Sequence, residues 1–347
     1  MHINAKTWLK AHWKPLLGGL LLCIILVGGA WAAQLDSGTI SQRIERNTST
    51  QDETPITEPA PLTGVEVEPH IARRPITAVM IENSPNARPQ TGLDSAGIVF
   101  EAVAEGGITR FLAFYQDTTP QEVGPIRSLR PYFVDWFMGF DAAVAHVGGS
   151  GEALQLVDRR GAKSLNEMRH SGPYFRSSDR LAPHNMYASM SGLRDLQRQL
   201  NLDNNQFKTI PRSDDSPSSE PNAPQITIDF SSSLYQAQFR YDSENNDYRR
   251  FMAGSPHIDR ATGNAIRSKN VVVIKMPTTR DGQYEVMQTI GSGDALLFKD
   301  GTVHEIRWRQ SSYNDRMELI DANGNEVALN RGDSWFSILP SGRTVSY

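Results

Sequence analysis

Cysteine is almost absent from this 347-residue chain. Cys23 is the only one, and it lies inside an apolar run. Everything after it therefore lacks disulfides and thiolate chemistry, and that part must hold together by its core alone. A basic surplus is missing too: 35 Lys and Arg stand against 39 Asp and Glu, for a net charge of −4. That balance excludes the electrostatic footprint of a nucleic-acid binder. Several chemical signatures are also absent. No HExxH pair offers a zinc helix, GGSG (148–151) lacks the lysine of a P-loop and the spacing of GxGxxG, and Ser150 is not in a GxSxG elbow. Hydrophobic residues make up 39% and charged residues 21%, so a packed core is within reach.

Charge is missing altogether from residues 15–33, PLLGGLLLCIILVGGAWAA. At helical rise this run crosses a bilayer core of about 30 Å. Lys6, Lys10 and Lys14 precede it and Asp36 follows. The positive-inside rule then makes 1–14 a cytoplasmic tail, 15–33 a transmembrane helix, and the rest a part outside the cytoplasm. The alternative is a cleaved signal peptide, since Ala30-Trp31-Ala32 has the small-x-small pattern of a cleavage site. Cys23 sits in the middle of the run rather than just after it, which does not suit a lipid-modified cysteine.

Residues 34–69 are rich in Ser, Thr, Asp, Glu, Pro and Gly and read as a flexible linker. From 70 to 210, short β-rich runs (76–83, 96–107, 109–117, 141–150) alternate with helical patterns (131–140, 151–161, 189–201). That alternation predicts an α/β domain with a mixed sheet. PRSDDSPSSEPNAP (211–224) reads as a linker or long loop. Residues 225–347 predict a mostly β domain, a small sandwich or open barrel, with hairpin turns at Asp300-Gly301 and Asn323-Gly324.

Within GPIRSLRPYFVDW (124–136), Arg127 and Arg130 precede a helix predicted from Pro131. A helix start carries free N–H groups and partial positive charge, and guanidiniums add bidentate binding of phosphate or carboxylate. Arg110 and Arg88 could join them. Internal pairing is the competing explanation, with Glu101, Glu105 or Glu82 as the carboxylate. On one strand Glu101 and Glu105 would share a face roughly 13 Å apart, too far for a direct glycosidase pair. His184, in APHNMY, reads as an ordered loop residue suited to a binding site. His257 with Asp259 makes too small a set for a metal centre, and His146 falls in a strand. The aromatics Tyr132, Phe133, Trp136, Phe137 and Phe140 have helical spacing and read as core rather than sugar platform.

The stretches RPITAVMIENSPNARPQTGL, IVFEAVAEGGITRFLAFYQD, VGPIRSLRPYFVDW, RLAPHNMYAS, YRRFMAGSPHIDRATGNAI and GDSWFSILP together resemble the YerB-like family of bacterial exported proteins. This is a two-part domain of unknown function, often attached as a lipoprotein. The resemblance implies a cell-envelope protein with an N-terminal α/β part and a C-terminal β part. It implies no reaction. The expectation is thus a membrane-anchored envelope binding protein rather than an enzyme, without metal or cofactor. Its ligand site would comprise Arg127, Arg130, His184 and Arg110, with Glu101 and Glu105 as internal partners. Its partner would be an anionic wall component or a wall-assembly protein. The alternatives are an envelope hydrolase or phosphodiesterase using the same charges, and a non-catalytic scaffold.

Overall fold

A mixed ten-stranded sheet forms the centre of the structure, a computed structural model that describes residues 55–347. In chain order its strands are β1 (Thr77–Glu82), β2 (Ile98–Val103), β3 (Thr109–Tyr115), β4 (Ala143–His146), β5 (Ser164–Asn166), β6 (Asn270–Met276), β7 (Gly291–Lys299), β8 (Thr302–Gln310), β9 (Glu318–Ile320) and β10 (Ser334–Pro340). In space the order is β9-β8-β7-β6-β10-β2-β3-β1-β4-β5. The last long strand, β10, runs parallel to both β6 and β2 and lies between them. One sheet therefore contains strands from both sides of the 211–224 segment.

The strand runs are apolar on both faces because both faces are covered. On one side, α1 (Pro131–Met138) and α2 (Gly151–Arg160) pack over Met80, Phe100, Leu112, Phe114 and Phe336. Tyr132, Phe133, Trp136, Phe137 and Phe140 are all buried there, so this set is core. Phe100 stacks between Trp136 and Phe336, with centroids 5.4 Å and 4.7 Å away. On the other side, α3 (Met190–Gln199) and a smaller sheet built on Gln225–Asp229, Gln236–Asp242 and Asp247–Met252 cover Val79, Ile81, Val99, Phe111 and Trp335. The arrangement is sheet-rich with few helices, an α/β part joined to a β-rich part.

Four expectations need correction. The C-terminal strands do not make a separate sandwich or barrel; five of them extend the main sheet. The segment 211–224 does not stand free, because Arg212–Ser213 pairs with Leu329–Asn330, Ala223 is buried, and Arg212 donates to the carbonyls of Leu62, Asn330 and Gly332. The linker over 34–69 ends early: Ala60 and Leu62 are buried, and the Leu62 amide donates to Gln116 Oε1 at 3.0 Å. The Asn323-Gly324 turn joins no regular hairpin, since only an isolated bridge links Ile320 and Glu326. The Asp300-Gly301 turn does, with both residues at positive φ as a tight two-residue connection requires.

Among the described residues no helix is long and apolar enough to cross a membrane. The transmembrane helix expected at 15–33 lies outside them, as does most of the expected linker.

Candidate functional site

Period-two alternation sorts the polar residues of β1, β2 and β3 onto opposite faces. Glu82 and Arg110 are register partners, and so are Arg110 and Ala102. This row lies on the α1 side with Met80 and Leu112. Glu101 pairs with Phe111 in the adjacent row and faces the smaller sheet. The expected grouping of Glu101 with Arg110, Arg127 and Arg130 is therefore wrong by one residue of register. Glu105 does not share a face with Glu101 either, because β2 ends at Val103 and Glu105 opens a turn through Gly106 and Gly107, both at positive φ.

On the α1 side, residues 125–130 cross the end of the sheet. The Glu82 amide donates to the Pro125 carbonyl at 2.8 Å and the Arg127 amide to Met80 at 2.9 Å. Arg130 then caps α1, with Pro131 in its first turn. The two arginines take different partners. Arg130 binds Glu105 through Nε (3.0 Å) and Nη2 (2.9 Å). The buried Arg110 donates to the other Glu105 oxygen at 2.7 Å and to the Ser128 carbonyl at 2.6 Å. Burial alone would raise the Glu105 pKa, but Arg110 and Arg130 outweigh it and hold the carboxyl below its usual range. Burial, and then the charge of Arg110, lower the pKa of Arg130.

Arg127 reaches Glu82 instead. Its Nε lies 3.5 Å from Glu82 Oε2, an ion pair without a hydrogen bond, and neither atom has another hydrogen-bond partner. Glu82 Oε1 accepts from Ser84 Oγ at 2.8 Å and lies 2.9 Å from His184 Nδ1. Arg127 is 27% exposed and His184 22%. Three guanidiniums thus share two carboxylates at the start of α1. Five of the six expected residues, Arg110, Arg127, Arg130, Glu105 and His184, belong to this corner. Glu82, which the sequence marked only as one possible partner, is its hub.

On the opposite face Glu101 is sealed. Oε2 accepts from Arg250 Nη2 (2.6 Å) and Trp335 Nε1 (3.1 Å), and Oε1 accepts from Thr109 (3.0 Å). Arg250 Nη1 also donates to His257 Nδ1 at 2.6 Å, which leaves Nε2–H to donate to Gln90 Oε1 at 2.8 Å. Gln90 donates to Asn83 Oδ1 (2.9 Å), and Asn83 donates to Thr109 (2.6 Å), which closes a ring. Every proton in it has one consistent direction. Burial, then Arg250 and Arg88, hold the His257 imidazole well below its ordinary pKa, in keeping with its neutral role. Arg88 docks on Asn83 and does not join the arginine corner. Asp259 Oδ1 accepts from the Ala261 amide in a turn. Among the described residues no group of His, Cys, Asp and Glu could hold a metal ion.

His146 is buried in β4, with Nδ1 bonded to the Gly148 carbonyl (2.6 Å) and Nε2 to Ser164 Oγ (2.8 Å). Burial lowers its pKa to about 4, against the opposing Gly148 bond and aided by Arg169. The folded pKa lies below the unfolded one, so the unfolded chain takes the extra proton. The contribution is full above pH ~6.5 and is lost as the pH falls toward 4. Wild type should lose about 2–3 kcal/mol more than His146→Asn between pH 7 and pH 4. Urea denaturation across that range checks this, and a pH-independent difference between the two would refute it.

Residues 62–203 match the family described as "Protein of unknown function (DUF3048) N-terminal domain", and residues 226–336 match its C-terminal domain. A Bacillus subtilis (strain 168) protein described as "Putative lipoprotein YerB" is 33% identical over 291 residues, which is 81% of this chain and 86% of that protein. The crystal structure of YerB from Bacillus subtilis is similar with a TM-score of 0.75 at 30% identity, covering 83% of this chain and 99% of that one. The two matched parts meet in the buried ring, where Glu101 and Gln90 of the first hold Arg250 and His257 of the second. The chain belongs to the YerB-like family of two-part domains of unknown function.

Proposed function

We propose that this chain is a membrane-associated envelope protein whose exported part binds an anionic ligand, a wall polymer or a wall-assembly partner, at the Arg127–Arg130 corner. The observation that carries this reading is the charge surplus: Arg110, Arg127 and Arg130 against Glu82 and Glu105. Like charges gathered at the positive end of a helix are unfavourable without an anion. Glu105 satisfies two of the arginines and leaves Arg127 with two long contacts, one to Glu82 Oε2 and one from Nη1 to the Pro183 carbonyl, each at 3.5 Å. Arg127 is the least firmly held of the three and the one with the most access to solvent. Export and anchoring rest on the apolar run at 15–33 and on the relative described as a lipoprotein.

The test is binding of a glycerol-phosphate oligomer to the full chain, measured by calorimetry at low and high salt. Arg127→Ala should weaken binding by about 10–100-fold, the worth of a charge-assisted hydrogen bond. Its melting temperature should fall less than that of Glu105→Gln, because Glu82 Oε1 keeps Ser84 and His184. No binding by wild type, or equal binding by the variant, refutes the site.

A hydrolase or phosphodiesterase is the second reading, and His184 favours it. If Nδ1–H donates to Glu82, Nε2 is left as a general base. Turnover of the same oligomer by wild type and its loss in His184→Ala would put that reading in place of simple binding.

A further inference from the structure

The loop that carries His184 leads into a second feature. Tyr174–Arg176, Met186–Ser189 and Glu122–Val123 form a three-stranded sheet. Between this sheet and the turn that begins at Asp259 lies an open cleft of about 440 Å³. That volume lies within the ~300–1,000 Å³ of ordinary ligand sites. Phe175 and Tyr187 are directly opposed in the register, and their rings stack at 6.1 Å between centroids and 24° between planes. Tyr187 is buried beneath, while Phe175 remains 39% exposed. A large aromatic ring is thus held in a fixed orientation with its outer face toward solvent.

The polar groups around it are also held in place. Arg260 bridges the Asp179 carboxylate and the Tyr187 hydroxyl, the latter at 3.3 Å. The Ser177 hydroxyl donates to Asp179, and Arg176 donates to Asn185 Oδ1 at 2.8 Å. The charged lining groups cancel: Arg176 and Arg260 stand against Glu122 and Asp179. A free anion gains nothing from such a lining. A neutral ligand rich in hydroxyls can donate to Asp179, accept from the guanidiniums, and lay an apolar ring face on Phe175.

We propose that this cleft is a saccharide subsite, with Phe175 stacking on the C–H face of a pyranose ring and Asp179, Arg176 and Arg260 reading its hydroxyls. The inference deepens the proposed function by making the carrier of the bound anion a glycan, and it rests on that reading only for the ligand's biological source. Recognition of the neutral sugar stands on the cleft alone.

The probe is tetra-N-acetylchitotetraose, added to the full chain in a detergent without a sugar headgroup. Calorimetry and saturation-transfer NMR report binding. Wild type should bind saturably, with the strongest transfer to ring C–H protons. Phe175→Ala should weaken binding by about 10-fold, the upper end of an aromatic stacking contact. Phe175→Trp, which keeps a ring, should retain it, and Asp179→Asn should weaken it. Arg127→Ala should leave the neutral sugar's affinity unchanged, which separates this site from the anion corner. No saturable binding by wild type, or unchanged affinity in Phe175→Ala, overturns the proposal. Loss of binding in Phe175→Trp as severe as in Phe175→Ala would also overturn it, because a stacking ring would then not be what binds.

Discussion

Arg250→Met is expected to destabilise the folded chain by about 3–5 kcal/mol, because it strands Glu101 as an uncompensated carboxylate in a sealed interior. Both side chains of that pair are fully buried. The guanidinium also lies 4.4 Å over the Trp335 ring, so its loss removes packing as well as charge. In a body of this size the change corresponds to a fall in melting temperature on the order of 10 °C. Adding Glu101→Gln to Arg250→Met removes the stranded charge, and the double variant should recover more than half of the loss. Thermal unfolding of the three chains decides the matter. A single-variant loss under about 1 kcal/mol would mean that Glu101 finds a proton or water at little cost, and the sealed ring would then not hold the two parts together.

Glu105→Gln should have an effect of similar size and a different signature. Glu105 is the shared counter-ion of Arg110 and Arg130, whose side chains are only 3% and 11% exposed. Without it two guanidiniums repel one another at the start of α1, at a cost of about 3–5 kcal/mol. Unlike the sealed Glu101, Glu105 keeps 23% of its side chain exposed, so the vacated position can be reached by an anion from solvent. Inorganic phosphate should therefore restore stability to Glu105→Gln, by about 2.7 kcal/mol at one hundred times its dissociation constant. It should do so far less for Arg250→Met. Melting temperature against phosphate concentration for both variants gives the answer. Equal responses would show that phosphate acts on the chain generally and not at this corner.

The elements of the fold were largely legible. β1, β3, β6 and α1 to α3 lie within a residue or two of their expected bounds, because strongly apolar runs and proline-opened helices declare themselves locally. Their assembly was not legible. Ser334–Pro340 reads as a strand from any angle, but nothing in SWFSILP says that its neighbours are Ile98–Val103 and Asn270–Met276. At the site, Arg127, Arg130, Arg110, Glu105 and His184 could be assembled from residue types and turn chemistry. Glu101 was misplaced because one residue of register moves a side chain across the sheet. The alternation of Thr109, Arg110, Phe111 and Leu112 held that information: a lone arginine between residues of the opposite face must look away from whatever Phe111 contacts. The Glu101–Arg250 pair spans 149 residues of chain, and no local pattern reports a contact of that range. The Phe175 cleft escaped for a related reason, since its aromatic partner Tyr187 comes from the far strand of a hairpin.

The position of β10 has a consequence for how the molecule can be made. The strand that joins the two halves of the sheet is synthesised after the other nine strands of that sheet. Until it arrives, β2 and β6 each present an unpaired edge, the hazard that native sheets normally cover. Parallel pairing at such sequence separation is also slow, because a long loop must close before any contact rewards it. The N-terminal part therefore cannot finish its own sheet in order of emergence. It waits, open along β2, for Ser334–Pro340, and the two parts reach their final state as one unit rather than in succession.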